Sequence, residues 1–288
     1  MKESNMTGKL PDQTELGIAR LRVADLGRSL AFYHELVGFD VMGRSGATAL
    51  LGAGGAPLLH LEAHAGLAPR PRSATGLFHI ALLLPSRADL GAMLRRLIEK
   101  SVPLGASDHI VSEALYLDDP DDNGLEIYAD RPRASWSWEG GEIAMATEPL
   151  DARGLVADAA PAQEPYHLPQ GTRIGHIHLQ VGDLATARRF YVDILGMEVT
   201  TQSYPGALFV SAGGYHHHLG LNVWRSRGLG AAPENAAGLD AFELRLPAET
   251  DLAPVRRRLE EAGVDLVEDQ RGFTVRDPWA NRIAVRSA

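Results

Sequence analysis

The sequence predicts an α+β protein of four βαβββ units, set in two tandem modules of curved mixed sheet enclosing a cavity. Three observations predict it. The chain repeats itself: Leu21-Arg-Val-Ala-Asp-Leu26, Phe32-Tyr33 and Gly38 recur 158 residues later as Leu179-Gln-Val-Gly-Asp-Leu184, Phe190-Tyr191 and Gly196. Asp119-Pro120 and Asn123 recur at the same offset, as Asp277-Pro278 and Asn281. A constant offset from one end of a module to the other marks a duplication. Each half also divides again into strand and helix patterns in one order. Finally, 288 residues suit two domains of roughly 150 residues each.

The elements follow from local pattern. Ile18 to Val23 alternates like a strand, and a helix follows, with Asp25 as N-cap and Leu26, Leu30 and Tyr33 on one face. It should stop near Gly38. Short strands come next, broken at Gly52 to Pro57, and the first unit ends with Leu58-Leu-His-Leu-Glu62. The second unit runs from Phe78-His-Ile-Ala-Leu-Leu-Leu84 through a helix at about Arg87 to Lys100. Its last strand is Leu125-Glu-Ile-Tyr128, with turns from Asp119-Pro120 and Asn123-Gly124 before it. Unit three covers about Arg173 to Trp224, and unit four about Leu239 to Arg286 with a helix near Leu252 to Ala262. The modules are placed at residues 13–130 and 172–288. Residues 131–171 form a long linker, with a short helix near Leu150 to Ala159, that should pack as a strap.

Composition narrows the chemistry. With 45% hydrophobic and 23% charged residues the chain can build a packed core. It has no cysteine, so disulfides, thiolate nucleophiles and cysteine-held metals are excluded, and any metal must be held by His, Asp or Glu. The net charge is −9 and no basic run stands out, so nucleic acid is not an expected partner. No apolar run of 18 residues suggests a membrane span. Met1 to Asp12 is polar with no signal-like apolar stretch, so a cytoplasmic protein is expected.

Strand parity selects candidate ligands. If Ile177, Leu179 and Val181 pack under a helix, His176, His178 and Gln180 face the inside of the curved sheet. By the same rule Ile80, Leu82 and Leu84 turn His79 inward, and Leu125 and Ile127 turn Glu126 inward. Two imidazoles and one carboxylate on one face leave coordination positions open, as in the facial triad of non-haem Fe(II) oxygenases. A plainer reading of each is an inward polar group held by hydrogen bonds. The first-strand position is Ile18 in unit one, His79 in two, His176 in three and Ala241 in four, and the position of Glu126 is Ala284 in unit four. Units one and four therefore lack ligands. Units two and three hold a complete set, which forms one site only if they share a cavity. A rival set takes His60 or Glu62 with His79 and Glu126.

These motifs resemble the vicinal oxygen chelate superfamily, which includes glyoxalases, bleomycin-resistance proteins and extradiol dioxygenases. Phe78-His-Ile-Ala-Leu-Leu-Leu-Pro85, Asp108-His-Ile-Val-Ser-Glu-Ala-Leu-Tyr116 and Tyr215-His-His-His-Leu-Gly-Leu-Asn222 are similar to the two-domain catechol 2,3-dioxygenase group. The resemblance covers nearly all of residues 16–287. It implies a catechol and O2 as substrates, with Fe(II), or alternatively Mn(II), on His79, His176 and Glu126. It makes His217 the acid–base residue, although parity does not separate it from His216 and His218. It gives Tyr116 a hydrogen bond to substrate oxygen and makes His109 a pocket donor; an ordinary strand tyrosine and a loop histidine are the plainer readings. Exchanged pairing of units occurs in single-chain glyoxalases of this superfamily. Two other functions stay open: a glyoxalase-like metal lyase or isomerase, which would favour a second carboxylate, and a metal-free resistance-type binding protein, which needs no triad. Arg131-Pro-Arg133, Trp136 and Trp138 are candidates to close the pocket, with plain packing of the strap as the favoured reading. The catechol cleaved and the oligomeric state, including a homo-oligomer, are left open.

Overall fold

A computed structural model describes residues 8–161 and 163–288, so the first seven residues of the polar N-terminal stretch lie outside the described residues. Unit one contributes strands β1 (Glu15–Val23), β2 (Asp40–Ser45), β3 (Thr48–Ala53) and β4 (Ala56–Ala63). Unit two contributes β5 (Gly76–Leu83), β6 (Gly105–Asp108), β7 (Ser112–Asp118) and β8 (Gly124–Asp130). A small hairpin follows, β9 (Trp138–Glu139) and β10 (Glu142–Ile143). Unit three supplies β11 (Arg173–Gln180), β12 (Glu198–Thr201), β13 (Ala207–Ser211) and β14 (Leu219–Asn222). Unit four supplies β15 (Gly238–Leu246), β16 (Val267–Asp269), β17 (Gly272–Arg276) and β18 (Arg282–Ser287). The helices are α1 (Leu26–Leu30), α2 (Arg87–Glu99), α3 (Ala152–Ala157), α4 (Leu184–Arg188) and α5 (Leu252–Glu261).

The sheets do not follow the tandem order of the units. One eight-stranded sheet runs β16-β17-β18-β15-β1-β4-β3-β2 and the other β12-β13-β14-β11-β5-β8-β7-β6. Units one and four thus share a sheet, and so do two and three. Each sheet is joined at its centre by an antiparallel pair, β1 with β15 and β11 with β5. The second pairing sets His178 opposite His79 and His176 opposite Ala81. This is the exchanged arrangement that a site built from units two and three requires.

The strand alternation packs as expected. Ile177, Leu179 and Val181 are fully buried in the main core, with Ile80, Leu82, Leu125 and Ile127. Asp25 caps α1 by accepting from the backbone N–H of Arg28 at 2.7 Å, and Asp183 does the same for α4 through Thr186. Both short helices widen into π turns, Ala31–Val37 and Arg189–Ile194, which residue periodicity does not distinguish from α-helix. Gly38 ends the first with φ 96°, a left-handed conformation that favours glycine.

The two repeated motifs form one device. Asp119 Oδ1 accepts from the N–H groups of Asp121 and Asn123 at 2.8 Å each, and its Oδ2 accepts from Asn123 Nδ2 and from the Tyr33 hydroxyl at 2.9 Å. Asp277 repeats this with Trp279, Asn281 and the Tyr191 hydroxyl at 2.8 Å. The tyrosine of one unit is thereby tied to the turn of the next, so these bonds join units within a half while the sheets join units across halves. Burial pushes both carboxyls up, and their donors pull them back only in part. Tyr191→Phe leaves a buried carboxylate short of a donor. Its expected cost is about 1–3 kcal/mol, read as a lower unfolding midpoint in urea without a change of slope.

The strap crosses the sheet of units two and three. Its backbone joins β6, with Asp108 and Glu148 exchanging both amide bonds at 2.8–2.9 Å. Trp136 is buried and packs on Tyr215 and His216, whereas Trp138 is exposed. No helix among the described residues is long and apolar enough to cross a membrane.

Candidate metal centre and pocket

Three side chains converge on the inner face of the sheet of units two and three. β5 delivers His79, β8 delivers Glu126 and β11 delivers His176. The Glu126 Oε2 lies 2.9 Å from His79 Nε2 and 3.1 Å from His176 Nε2, and the two nitrogens are 3.2 Å apart. All three residues are buried. Among the described residues no other trio of His, Asp or Glu comes together in this way. His60 and Glu62 lie on β4, in the other sheet, so the rival set is not assembled.

The electrostatics of the trio suit a cation. Burial alone would raise the Glu126 carboxyl, but His176 and His79 outweigh it and hold it well below the usual carboxylate range. Burial lowers His176 to about 4, against the pull of Glu126. The group thus sets one carboxylate oxygen against two histidine nitrogens. Neutral imidazoles would crowd both their N–H groups onto a single oxygen, whereas one divalent ion satisfies all three atoms at once. Ligands bound at about 2.1 Å and at right angles to one another stand about 3.0 Å apart. The observed separations of 2.9–3.2 Å match that spacing. The residues fit a metal.

The trio sits in a cavity of about 650 Å³ walled by Phe78, Phe209, Tyr204 and Trp224, with Met145 to Thr147 of the strap along its rim. That is the size of a small-molecule site. His217, Tyr116 and His109 all line it, while His216 and His218 do not. The histidine tract precedes β14 rather than lying in it, and its middle residue alone turns to the cavity. The His217 ring stands 4.1 Å from that of His176 and 4.8 Å from that of Phe209. Burial, together with the imidazoles of His176 and His216, holds it well below its ordinary value, so it is neutral at pH 7. His218 turns away and pairs with Ser211 Oγ at 2.9 Å.

Tyr116 and His109 form a pair. His109 Nδ1 is 2.7 Å from the carbonyl of Ala146 and must donate to it, so its Nε2 accepts from the Tyr116 hydroxyl at 2.6 Å. The turn that carries His109 holds Ile110 at φ 71°, a strained conformation for a β-branched residue. Ile110 is held there by Asp108 and Arg131.

Two contributors lacked a role in the sequence. His178 was placed inward by parity. It lines the cavity with its Nε2 unpartnered, 4.9 Å ring to ring from His79. Gly220 leaves room for it, since a Cβ there would come within 2.8 Å of the ring. Asp130, beyond the end of the Glu126 motif, bonds His216 Nε2 at 2.9 Å. Neither its type nor its spacing signalled this, because the contact spans 86 residues.

Comparison with known proteins agrees with this architecture. The family model of the Glyoxalase/Bleomycin resistance protein/Dioxygenase superfamily matches residues 15–127 and again 173–285. The chain is 46% identical over 272 residues to the catechol-2,3-dioxygenase of Bacillus subtilis (strain 168), covering 93% of this chain and 95% of that one. Its fold is also that of a candidate dioxygenase from Bacillus subtilis subsp. subtilis str. 168, with a TM-score of 0.67 and 14% identity, covering 97% and 86% of the two chains. Glyoxalase I from Zea mays gives a TM-score of 0.59 at 16% identity, covering 96% and 92%. With both halves matched, the chain belongs to the glyoxalase/bleomycin resistance protein/dioxygenase superfamily and is an enzyme of it.

Proposed function

We propose that the protein is an extradiol dioxygenase that opens the ring of a catechol with O2, using one divalent metal held by His79, Glu126 and His176. The observation that carries this is the convergence of two imidazoles and one carboxylate inside an aromatic-walled cavity. The 46% identity to a catechol-2,3-dioxygenase supports it. When bound, the metal supplies open positions where the diol and O2 meet and exchange charge. Fe(II) is the expected ion, and the same donors accept Mn(II).

The rest is done by this chain. Phe78, Phe209 and Trp224 line the cavity and offer flat faces to an aromatic ring. His217, neutral and without a metal-ligand role, takes a proton from the diol and returns one as the ring opens. Tyr116 donates its hydroxyl hydrogen bond to His109, so its oxygen lone pairs remain to accept from a substrate hydroxyl and orient it. A glyoxalase-like reading would call for a second carboxylate, and Glu126 is the single carboxylate in the trio.

The test is oxygen uptake with catechol by the Fe(II)-loaded protein, with the product identified by mass. One O2 consumed per catechol, with both atoms in a ring-opened acid, is expected. Stoichiometric metal without oxygen uptake would transfer support to the lyase reading. The empty ligand positions of the other sheet give a further prediction. Ile18→Ala and Ala284→Gly should leave metal content and turnover at parental values, checked by elemental analysis and the same assay.

A further inference from the structure

We propose that Asp130 and His216 are positioning residues acting through His217: they fix which of its ring nitrogens carries the proton and leave Nε2 bare toward the cavity. This rests on the dioxygenase reading, and it concerns residues that line no part of the cavity and form no hydrogen bond to the trio.

The geometry gives a chain of three links. His216 is fully buried, its ring held between Tyr215 at 4.1 Å and Trp136 at 5.2 Å. Its Nε2 is 2.9 Å from Asp130 Oδ1, and its Nδ1 is 2.8 Å from His217 Nδ1. The other Asp130 oxygen accepts from the Tyr215 hydroxyl at 3.0 Å, and that hydroxyl lies 2.7 Å from the hydroxyl of Tyr128. Asp130 is thus fixed from two sides.

With one ring proton on each histidine, the distances leave a single proton order. A carboxylate only accepts, so His216 donates to Asp130 from Nε2. A neutral imidazole carrying that proton has a lone pair at Nδ1. Two nitrogens 2.8 Å apart need one proton between them, so His217 donates from its own Nδ1. Its remaining nitrogen, Nε2, then has a free lone pair. A base must present that form, and an imidazole left to itself would divide between the two tautomers. Had the pair served burial alone, a histidine with any two partners would suffice.

The test separates position from packing. His216→Phe keeps a ring but removes the acceptor. It should lower kcat by about 10- to 100-fold with KM for catechol and iron content unchanged. His216→Asn places its side-chain oxygen near the site of Nδ1 and can again accept from His217, so it should recover most of that loss. Asp130→Asn can donate to His216 and reverse the proton order. It should lower kcat in the parental protein, yet add nothing in the His216→Asn background.

A second readout does not depend on turnover. Imidazole 15N shifts of the protein loaded with diamagnetic Zn(II) should show His217 protonated at Nδ1 in the parental chain and shifted toward Nε2 protonation in Asp130→Asn. Finding His217 protonated at Nε2 in the parental chain overturns the proposal. So does equal impairment of the Phe and Asn variants with iron retained. Should His216→Phe fail to fold, His216→Asn and Asp130→Asn decide the matter. Correct 15N shifts in a protein that consumes no oxygen with catechol would refute the dioxygenase reading while upholding the relay.

Discussion

His176→Ala should strip the protein of stoichiometric metal and abolish turnover. In the proposed centre His176 supplies one of three donor atoms, and the other two come from different strands of unit two, so no neighbour is positioned to replace it. Loss of an outer partner of a metal ligand typically costs about 10- to 100-fold in affinity or activity, and loss of a ligand should exceed that. The fold should survive, because the strand is held by its apolar face, where Ile177 and Leu179 are fully buried. Metal binding offers a second measure. A ligand present at about 100 times its Kd stabilises the native state by about 2.7 kcal/mol. Added Fe(II) should therefore raise the unfolding temperature of the parental protein and leave that of His176→Ala unmoved. Full metal occupancy in the variant would mean that the ion sits elsewhere and that the trio is only a buried polar cluster.

Much of this site was legible in the sequence because strands alternate strictly. Once Ile177, Ile80 and Ile127 are assigned to the core, His176, His79 and Glu126 have no other face to occupy. The duplication added a comparison that a single domain lacks. Ile18, Ala241 and Ala284 stand where ligands would be, and the pairing of β1 with β15 repeats that of β11 with β5. The sequence thereby places the candidate trio at the junction of units two and three, where the shared sheet brings it together.

What parity could not resolve lies off the strands. The histidine tract sits before β14, where alternation has no hold, so the choice among His216, His217 and His218 depends on loop geometry. His109 reaches Tyr116 through a strained turn at Ile110, and propensity argues against such a turn. The π turns after α1 and α4 share their buried face with an α-helix and differ only in backbone register. Asp130 meets His216 only because units two and three share a sheet. A long-range contact of this kind leaves no trace in local spacing.

The second large effect is expected at His217. A diol must lose a proton to bind a metal through oxygen, and a proton must be returned as the ring opens. Arginine and lysine hold theirs too firmly near neutral pH, and Glu126 is committed to the trio. His217 lines the cavity, and its ring lies 4.1 Å from that of His176. Burial and the neighbouring imidazoles keep it unprotonated at pH 7, the form a base requires. His217→Ala should keep its metal and its affinity for catechol while turnover falls by about 10²- to 10⁴-fold. His218→Ala is the informative companion, because His218 turns from the cavity toward Ser211 and should affect stability more than rate. Parental turnover in His217→Ala, with metal bound, would remove the acid–base residue from the proposed mechanism. Loss confined to His218→Ala would show that the tract presents a different ring to the substrate from the one seen lining the cavity.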